Sequence, residues 1–379
     1  MRIASTFWTK GQLLKRVHTI RWSTRAVLTP GCTKVRHGIR CRLKNDGCVV
    51  IRFSTVLENS WYQPNWLTLL LIPASLIYAV GLLIYQSLHP LRPRKIEEGL
   101  PVIVVGNLTT GGTGKTPLVV WLVKALIGAG YRPAVISRGY GGTGRGSLSV
   151  LATTDAALAG DEAVMMAWVL DVPIVVDKDR RRGIAYLRQN FDVNVLVSDD
   201  GLQNRRFPRW IEVLVLDGTR RLGSGLLLPA GPLREFSSRA KTVDFVVTNG
   251  EARQGEIKMT TVLTQCVNLV SGETRTLSEM DQHKFVAVTG IGHARRFFDQ
   301  LTQAGVRFEP QQFPDHHVFS EDDFTRFGSG GVLMTAKDAV KCRTFARPNW
   351  WQVELKVDLP PEFIDGVLHQ LSSAVEGAK

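Results

Sequence analysis

The residues with the plainest chemical potential stand at 107–117, Asn-Leu-Thr-Thr-Gly-Gly-Thr-Gly-Lys-Thr-Pro. They follow a continuous apolar run, VIVVG at 102–106, and precede LVVWLVKALIGAG, whose apolar positions recur at helical spacing. Strand, glycine-rich turn, Lys-Thr and helix form the context a phosphate-binding loop needs. Backbone N–H groups from Gly111 through Gly112, Thr113 and Gly114 to Lys115 can face phosphate oxygens at the positive end of the helix. Lys115 would reach the β- and γ-phosphates, and the Thr116 hydroxyl would hold Mg²⁺. The usual spacing puts a glycine where Thr109 stands, so Gly111 and Gly112 must supply the backbone freedom. The loop implies a nucleotide such as ATP; it does not by itself name a reaction.

Acidic residues supply the next candidates. Asp199-Asp200 follows the apolar run VNVLVS and precedes Gly201. One of these acids can bind the metal and the other orient an acceptor, or the pair can be an Asp turn. Asp161 and Glu162 precede the helical stretch AVMMAW, so Asp161 is either an N-cap or a base that takes a hydroxyl proton; spacing does not decide. Asp315-His316-His317 lies on a proline-containing loop, where a carboxylate can orient and tune an imidazole. Taken alone, that loop reads as an exposed polar segment. Arg138, Arg180, Arg205 and Arg234 are among the arginines that could hold an anionic acceptor.

These groups require a scaffold. Apolar β runs recur at 133–137, 173–177, 193–198, 211–217, 243–248, 285–289 and 331–335, with helical stretches between several of them. Alternation of this kind predicts an α/β fold with a doubly wound, mostly parallel sheet, active groups sitting at the carboxyl ends of the strands. At 379 residues, with 44% hydrophobic and 21% charged residues, the chain is globular, not disordered, collagenous or coiled-coil.

The net charge of +13 is concentrated at one end. Residues 1–57 carry 12 Lys/Arg against the single acid Asp46, leaving 35 basic and 33 acidic residues elsewhere, a net charge of +2. The body therefore has no general balance for nucleic acid. Three cysteines, Cys32, Cys41 and Cys48, share that segment; only Cys266 and Cys342 lie in the body, which reads as reduced and without a zinc site. The basic segment shows no helical face and no core pattern. The favoured reading is a false start, with translation beginning near residue 55; a targeting presequence or a true basic arm are the alternatives. Trp66 to Leu88 is an apolar stretch long enough to cross a bilayer core of about 30 Å, followed by Arg92, Arg94 and Lys95, which favour a cytoplasmic C-terminal side. The alternative for that stretch is a buried or interfacial helix kinked at Pro73. The expected organisation is a basic extension over 1–57, an anchor with its flanks over 58–95, and a phosphate-loop region over 96–379 with a smaller C-terminal lobe from about 250.

Several segments in order, VIVVGNLTTGGTGKTP, SRGYGG, GDEAVMMA, DDGLQNRRF, LLPAGPLRE, FPDHH and LMTAKDAVK, resemble the tetraacyldisaccharide 4′-kinase family. The resemblance spans roughly residues 61–345 and includes the N-terminal membrane helix. It implies a P-loop kinase that moves the ATP γ-phosphate to the 4′-hydroxyl of a tetraacylated disaccharide 1-phosphate, giving lipid IVA in lipid A biosynthesis. It implies Asp161 as base with His316 as its dyad partner, and Asp200 among the catalytic groups. Asp199 and Glu235 join Thr116 near Mg²⁺, and Glu162, Gln203 and Arg234 fall at the acceptor. It implies attachment to the inner membrane, catalytic domain on the cytoplasmic face, with lipid substrate and bilayer as partners and no obligate protein partner. The sequence departs from the family pattern at Asn204, Ala163 and Ala336, where the family usually has His, Pro and Glu. The competing reading is a membrane-anchored P-loop NTPase switch with no lipid acceptor.

Overall fold

The computed structural model describes residues 32–35, 38–42, 48–91, 100–205, 207–282, 285–328 and 330–376. The chain falls into two compact units, Met1–Asn59 and Ser60–Lys379. In the first, β1 (Cys32–Val35), β2 (Gly38–Arg42) and β3 (Cys48–Arg52) form an antiparallel sheet, with Gly38 opposite Arg52. No pattern is legible in the sequence there because paired segments of four or five residues are too short to display a period. The flanking Arg92, Arg94 and Lys95 lie outside the described residues.

The second unit is built on a thirteen-stranded sheet. Its first half comprises β4 (Val102–Gly106), β5 (Pro133–Ser137), β6 (Leu148–Ser149), β7 (Ile174–Val176), β8 (Val195–Asp199), β9 (Ile211–Asp217) and β10 (Phe245–Asn249). These lie in the order β10-β9-β4-β8-β5-β7-β6, parallel except for the edge strand β6. Val102 and Val104 of β4 pack into one apolar layer, Ile103 and Val105 into the opposite one. Burial on both faces explains why these strands read as unbroken apolar runs. Helix Lys115–Gly128 covers one face through Leu118, Val119, Leu122, Val123 and Leu126, a stripe at helical spacing.

The second half contains β11 (Ile257–Asn268), β12 (Thr274–Thr276), β13 (Phe285–Thr289), β14 (Phe308–Gln312), β15 (Gly331–Thr335) and β16 (Trp350–Asp358). β11 starts beside β10, with Val247 opposite Ile257, and pairs antiparallel with β16 along its length, so the sheet runs on from residue 250 as β11-β16-β15-β13-β14. β11, β12, β14 and β16 escape the sequence reading. In β11, buried and exposed residues alternate through Thr, Gln and Lys, so no apolar run marks it.

Helix Trp66–Leu88 is long and apolar enough to cross a membrane. Asn65 caps it, its side chain accepting from Leu67 N at 2.9 Å while Thr68 Oγ1 accepts from Asn65 N at 3.1 Å. The helix continues through Pro73. One face docks on the body: buried Ser75 donates to Leu227 O at 2.8 Å and accepts from Ala230 N at 2.9 Å, Tyr78 donates to Arg234 O at 2.9 Å, and Ala79 and Leu82 join the apolar layer beside β4. Leu69, Leu70, Leu76, Ile77, Leu83 and Ile84 face outward.

Candidate active site

The carboxyl ends of β4, β5, β8, β10, β13 and β15 carry residues that converge on one cleft of about 1210 Å³, which the docked helix borders with Tyr78 and Tyr85. At its centre is the phosphate loop. Gly111 and Gly114 both have φ of +98°, in the region that glycine alone enters freely. At Gly114 the need is also steric: a Cβ would lie 2.5 Å from Asn249 Nδ2, which donates to Thr113 O at 3.2 Å. Asn107 Nδ2 braces the loop from the other side by donating to Gly111 O at 3.2 Å, and Gln203 Nε2 donates to Asn107 O at 2.7 Å. Buried Thr109 bridges to Leu233, behind the loop, and Thr110 N donates to Pro232 O at 2.9 Å. The Thr113 hydroxyl is buried with no protein partner.

Lys115 Nζ lies 3.5 Å from Asp200 Oδ1, and Arg234 Nη1 donates to Asp200 Oδ2 at 3.2 Å. Burial raises the Asp200 carboxyl, but Lys115 and Arg234 outweigh it and hold the group below its usual range. Asp200 adopts φ of +51°, and His316 φ of +57°. Of the three non-glycine residues with positive φ among the described residues, these two line the cleft, the kind of strain that collects at functional sites. Arg180, buried at the base, donates from Nη2 to Asp199 O at 2.7 Å and Asp200 O at 2.8 Å and so fixes the turn that carries both acids. Burial pulls the Arg180 guanidinium down to about 10.

Asp199 contrasts with its neighbour. It is 1% exposed, and both carboxylate oxygens lack a hydrogen-bond partner. Burial first, then the charges of Glu162 and Asp200, push its carboxyl up to about 7 against the pull of Lys115 and Arg180. A buried carboxylate with free lone pairs is what a cation would neutralise. Among the described residues there is no cluster of three or more His, Cys, Asp or Glu side chains suited to a metal. Mg²⁺ at a phosphate loop does not need one, since it draws on a hydroxyl, one or two carboxylates, phosphate oxygens and water. Asp199 and the buried Thr116 fit that donor set. Glu235 lies in a buried ion network, 3.8 Å from Arg239 Nε, where Arg239 also pairs with Glu212 and Glu212 with Arg209. Burial raises the Glu235 carboxyl despite those arginines.

Across the cleft, Asp161 begins helix Asp161–Val169 behind Gly160, its Oδ1 accepting from Glu162 N at 2.9 Å. It also meets His316, whose Nδ1 lies 3.1 Å from Asp161 Oδ2. The two residues are 155 positions apart in sequence. Burial raises the Asp161 carboxyl, yet the hydrogen bond from His316 and the charges of Lys337 and Lys341 bring it below its ordinary value. The hydrogen bond to Asp161 raises His316 above the usual imidazole value. The loop 313–317 is therefore no free surface segment. His317 anchors it by pairing with Asp323 Oδ2 at 3.0 Å and packing its ring against Phe313 at 4.7 Å.

Sequence reasoning passes over several residues of this cleft. Lys337, in the first turn of helix Ala336–Cys342, lies 3.2 Å from Glu162 Oε1 and 3.4 Å from His316 Nε2. Asn249 ties β10 to the phosphate loop, and Arg296 donates to Asn249 while facing Asp217 Oδ2 at 3.6 Å. Nothing in local spacing marks them; only the polar ends of apolar strands hint at Asn249.

Fold and loop together define a P-loop phosphotransferase. The model of the tetraacyldisaccharide-1-P 4′-kinase family matches residues 67–372. A tetraacyldisaccharide 4′-kinase from Nitrosococcus oceani is 44% identical over 333 residues, covering 86% of this chain and 96% of the relative. One from Psychromonas ingrahamii is 43% identical over 320 residues, covering 82% and 98%. The crystal structure of an "apo" form of LpxK from Aquifex aeolicus in complex with ATP superposes with a TM-score of 0.68 at 30% identity, covering 80% of this chain and 98% of that one. The chain belongs to the tetraacyldisaccharide 4′-kinase family.

Proposed function

We propose that the protein is an ATP-dependent lipid kinase that phosphorylates the 4′-hydroxyl of tetraacyldisaccharide 1-phosphate, giving lipid IVA in lipid A biosynthesis. The observation that carries this reading is the contact between buried Asp161 and His316, whose imidazole lines the same cleft as the Lys115 loop. A nucleotide hydrolase needs only to orient water, whereas a sugar hydroxyl is a weak nucleophile that gains from a positioned base.

The triphosphate lies over the loop from Gly111 to Thr116, with Lys115 at its terminal phosphates. Asp199 and Thr116 are the residues that would hold Mg²⁺, which when bound offsets phosphate charge; Glu235 is a further candidate ligand. The 4′-oxygen bonds to the γ-phosphorus as the bond to the β,γ-bridging oxygen breaks, and ADP leaves with that oxygen. The hydroxyl proton passes to the Asp161–His316 pair, Asp161 acting as the base. Asp200 holds Lys115 and Arg234 at the reacting phosphate, while Glu162, Gln203 and Arg234 border the acceptor. Positioning and charge neutralisation supply most of the acceleration.

The helix Trp66–Leu88 is the membrane attachment. Its outward leucines and isoleucines meet lipid while Ser75 and Tyr78 hold the cleft beside it, on the cytoplasmic face of the inner membrane. The test is ATP turnover with and without lipid A disaccharide 1-phosphate in detergent–phospholipid mixed micelles. Turnover that depends on acceptor is expected; equal turnover without it would support the NTPase switch.

A further inference from the structure

Lys337 follows β15 and faces Glu162 across the cleft, and neither nucleotide nor acceptor chemistry has yet used it. Its side chain is 16% exposed. Its Nζ lies 3.2 Å from Glu162 Oε1, 3.4 Å from His316 Nε2, 3.7 Å from Asp315 Oδ1 and 3.9 Å from Asp161 Oδ2. Three carboxylates and an imidazole around one ammonium are more than a structural ion pair requires.

The donor and acceptor inventory fixes the protons. A carboxylate offers only lone pairs, so the 3.1 Å contact between His316 Nδ1 and Asp161 Oδ2 needs the proton on Nδ1. An ammonium offers only donors, so its contact with Nε2 needs a lone pair there. Both contacts are satisfied together by one species, neutral imidazole protonated at Nδ1. Neutrality matters to the reaction, because an imidazolium against Asp161 weakens the carboxylate that must accept the proton. The carboxylates of Asp161, Asp315 and Glu162 all pull toward the imidazolium. Among the described residues, the cations on the facing side are Lys337 and, 3.8 Å from Asp161 Oδ2, Lys341, while the Tyr140 ring, 5.2 Å from the imidazole, brings no charge. Lys341 is itself paired with buried Asp338 at 3.2 Å. Lys337 is the cation that touches the imidazole.

We propose that Lys337 is a positioning residue that holds the dyad in its proton-free form, fixing the Nδ1–H tautomer of His316 and opposing its charging at neutral pH. This rests on the dyad acting as the base. Glu162 and Asp315 keep the ammonium in place beside Nε2.

The test is the pH profile of kcat/KM for lipid phosphorylation in four proteins: wild type, Lys337→Arg, Lys337→Met and His316→Gln. Removing the cation should raise the acid limb by about one pH unit, the lower end of what a charge within 4–6 Å imposes, given the partial exposure of His316. Well below the limb that is a tenfold loss relative to each enzyme's own plateau. Lys337→Arg should leave the limb near its wild-type position. ¹⁵N NMR of His316 should report the Nδ1–H tautomer in wild type and its loss in Lys337→Met. ATP binding verifies that each variant is folded, and Lys337→Gln replaces Lys337→Met if that variant is not. Activity falling in both the Arg and Met variants with an unmoved limb and unchanged tautomer would make Lys337 merely structural and overturn the proposal. His316→Gln separates the two levels: if its acid limb persists, the limb is not the dyad's and the reading of the base falls. If the limb vanishes there but stays put in Lys337→Met, only the role of Lys337 falls.

Discussion

Gly114 offers the sharpest local test of how the phosphate loop is built. With φ of +98°, an alanine there takes on left-handed strain worth about 1–2 kcal/mol. Its Cβ would also fall 2.5 Å from Asn249 Nδ2 and 3.0 Å from Met259 Cε. The amide of Asn249 must move and lose its bond to Thr113 O, about 1 kcal/mol more. The sum, about 2–3 kcal/mol, corresponds to roughly 30- to 150-fold in an equilibrium constant. The same loop contains its own controls. Gly111 has the same φ, but its nearest prospective neighbour is Arg220 Nη1 at 3.8 Å, so Gly111→Ala carries the strain alone. Gly112 has neither positive φ nor any atom within 4 Å of a built Cβ. Thermal unfolding of the nucleotide-free protein should therefore rank Gly112→Ala near wild type, Gly111→Ala lower and Gly114→Ala lowest, by about 3–5 °C. Gly114→Ala should also bind ATP more weakly, because the displaced carbonyl turns the loop N–H groups away from phosphate. A Gly114→Ala protein as stable as Gly112→Ala would refute the claim that Asn249 braces the loop.

Three further outcomes follow from the geometry. Asp161→Asn keeps the shape of the dyad but not its basicity, so kcat should fall about 10²- to 10⁴-fold with ATP affinity near wild type; unchanged turnover removes Asp161 from the base role. Ser75→Val deletes the buried hydroxyl that bonds Leu227 O and Ala230 N, which should destabilise the protein by about 1–3 kcal/mol, read by thermal unfolding in detergent; a neutral result would mean the helix does not dock there. The dyad also gives stability a signed pH dependence. His316, raised when folded, contributes fully below about pH 6.5, its unfolded value, and loses that contribution as pH rises through the folded value. Asp161, lowered when folded, contributes above about pH 4 and loses it as pH falls further. Comparing wild type with His316→Gln across pH should show their difference greatest between about pH 4 and 6.5; a flat difference contradicts the pairing.

How much of this was readable beforehand depended on burial. β4, β9, β13 and β15 appear in the sequence with the boundaries they have in the fold, because strands covered on both faces are uninterrupted apolar runs. β11 does not, since its buried and exposed residues alternate, and β16 does not, since Gln352, Glu354 and Lys356 interrupt its apolar residues. The phosphate loop was legible because its chemistry is local. The dyad was not, since nothing in a sequence states that Asp161 and His316 meet across 155 residues; the family resemblance supplied that pairing. Lys337 was least visible of all. A lysine in the first turn of a short helix reads as a solvated charge until strand β15 delivers it between Glu162 and His316.

The central claim is that the Lys115 loop and the Asp161–His316 pair serve one transfer to one lipid hydroxyl. The direct measurement is ³¹P NMR and mass spectrometry of tetraacyldisaccharide 1-phosphate after incubation with the purified protein, ATP and Mg²⁺. The account predicts a lipid carrying one added phosphate, on the 4′-oxygen, with ADP formed in equal amount. ADP accumulating while the lipid stays unmodified, or phosphate appearing on another hydroxyl, would contradict it.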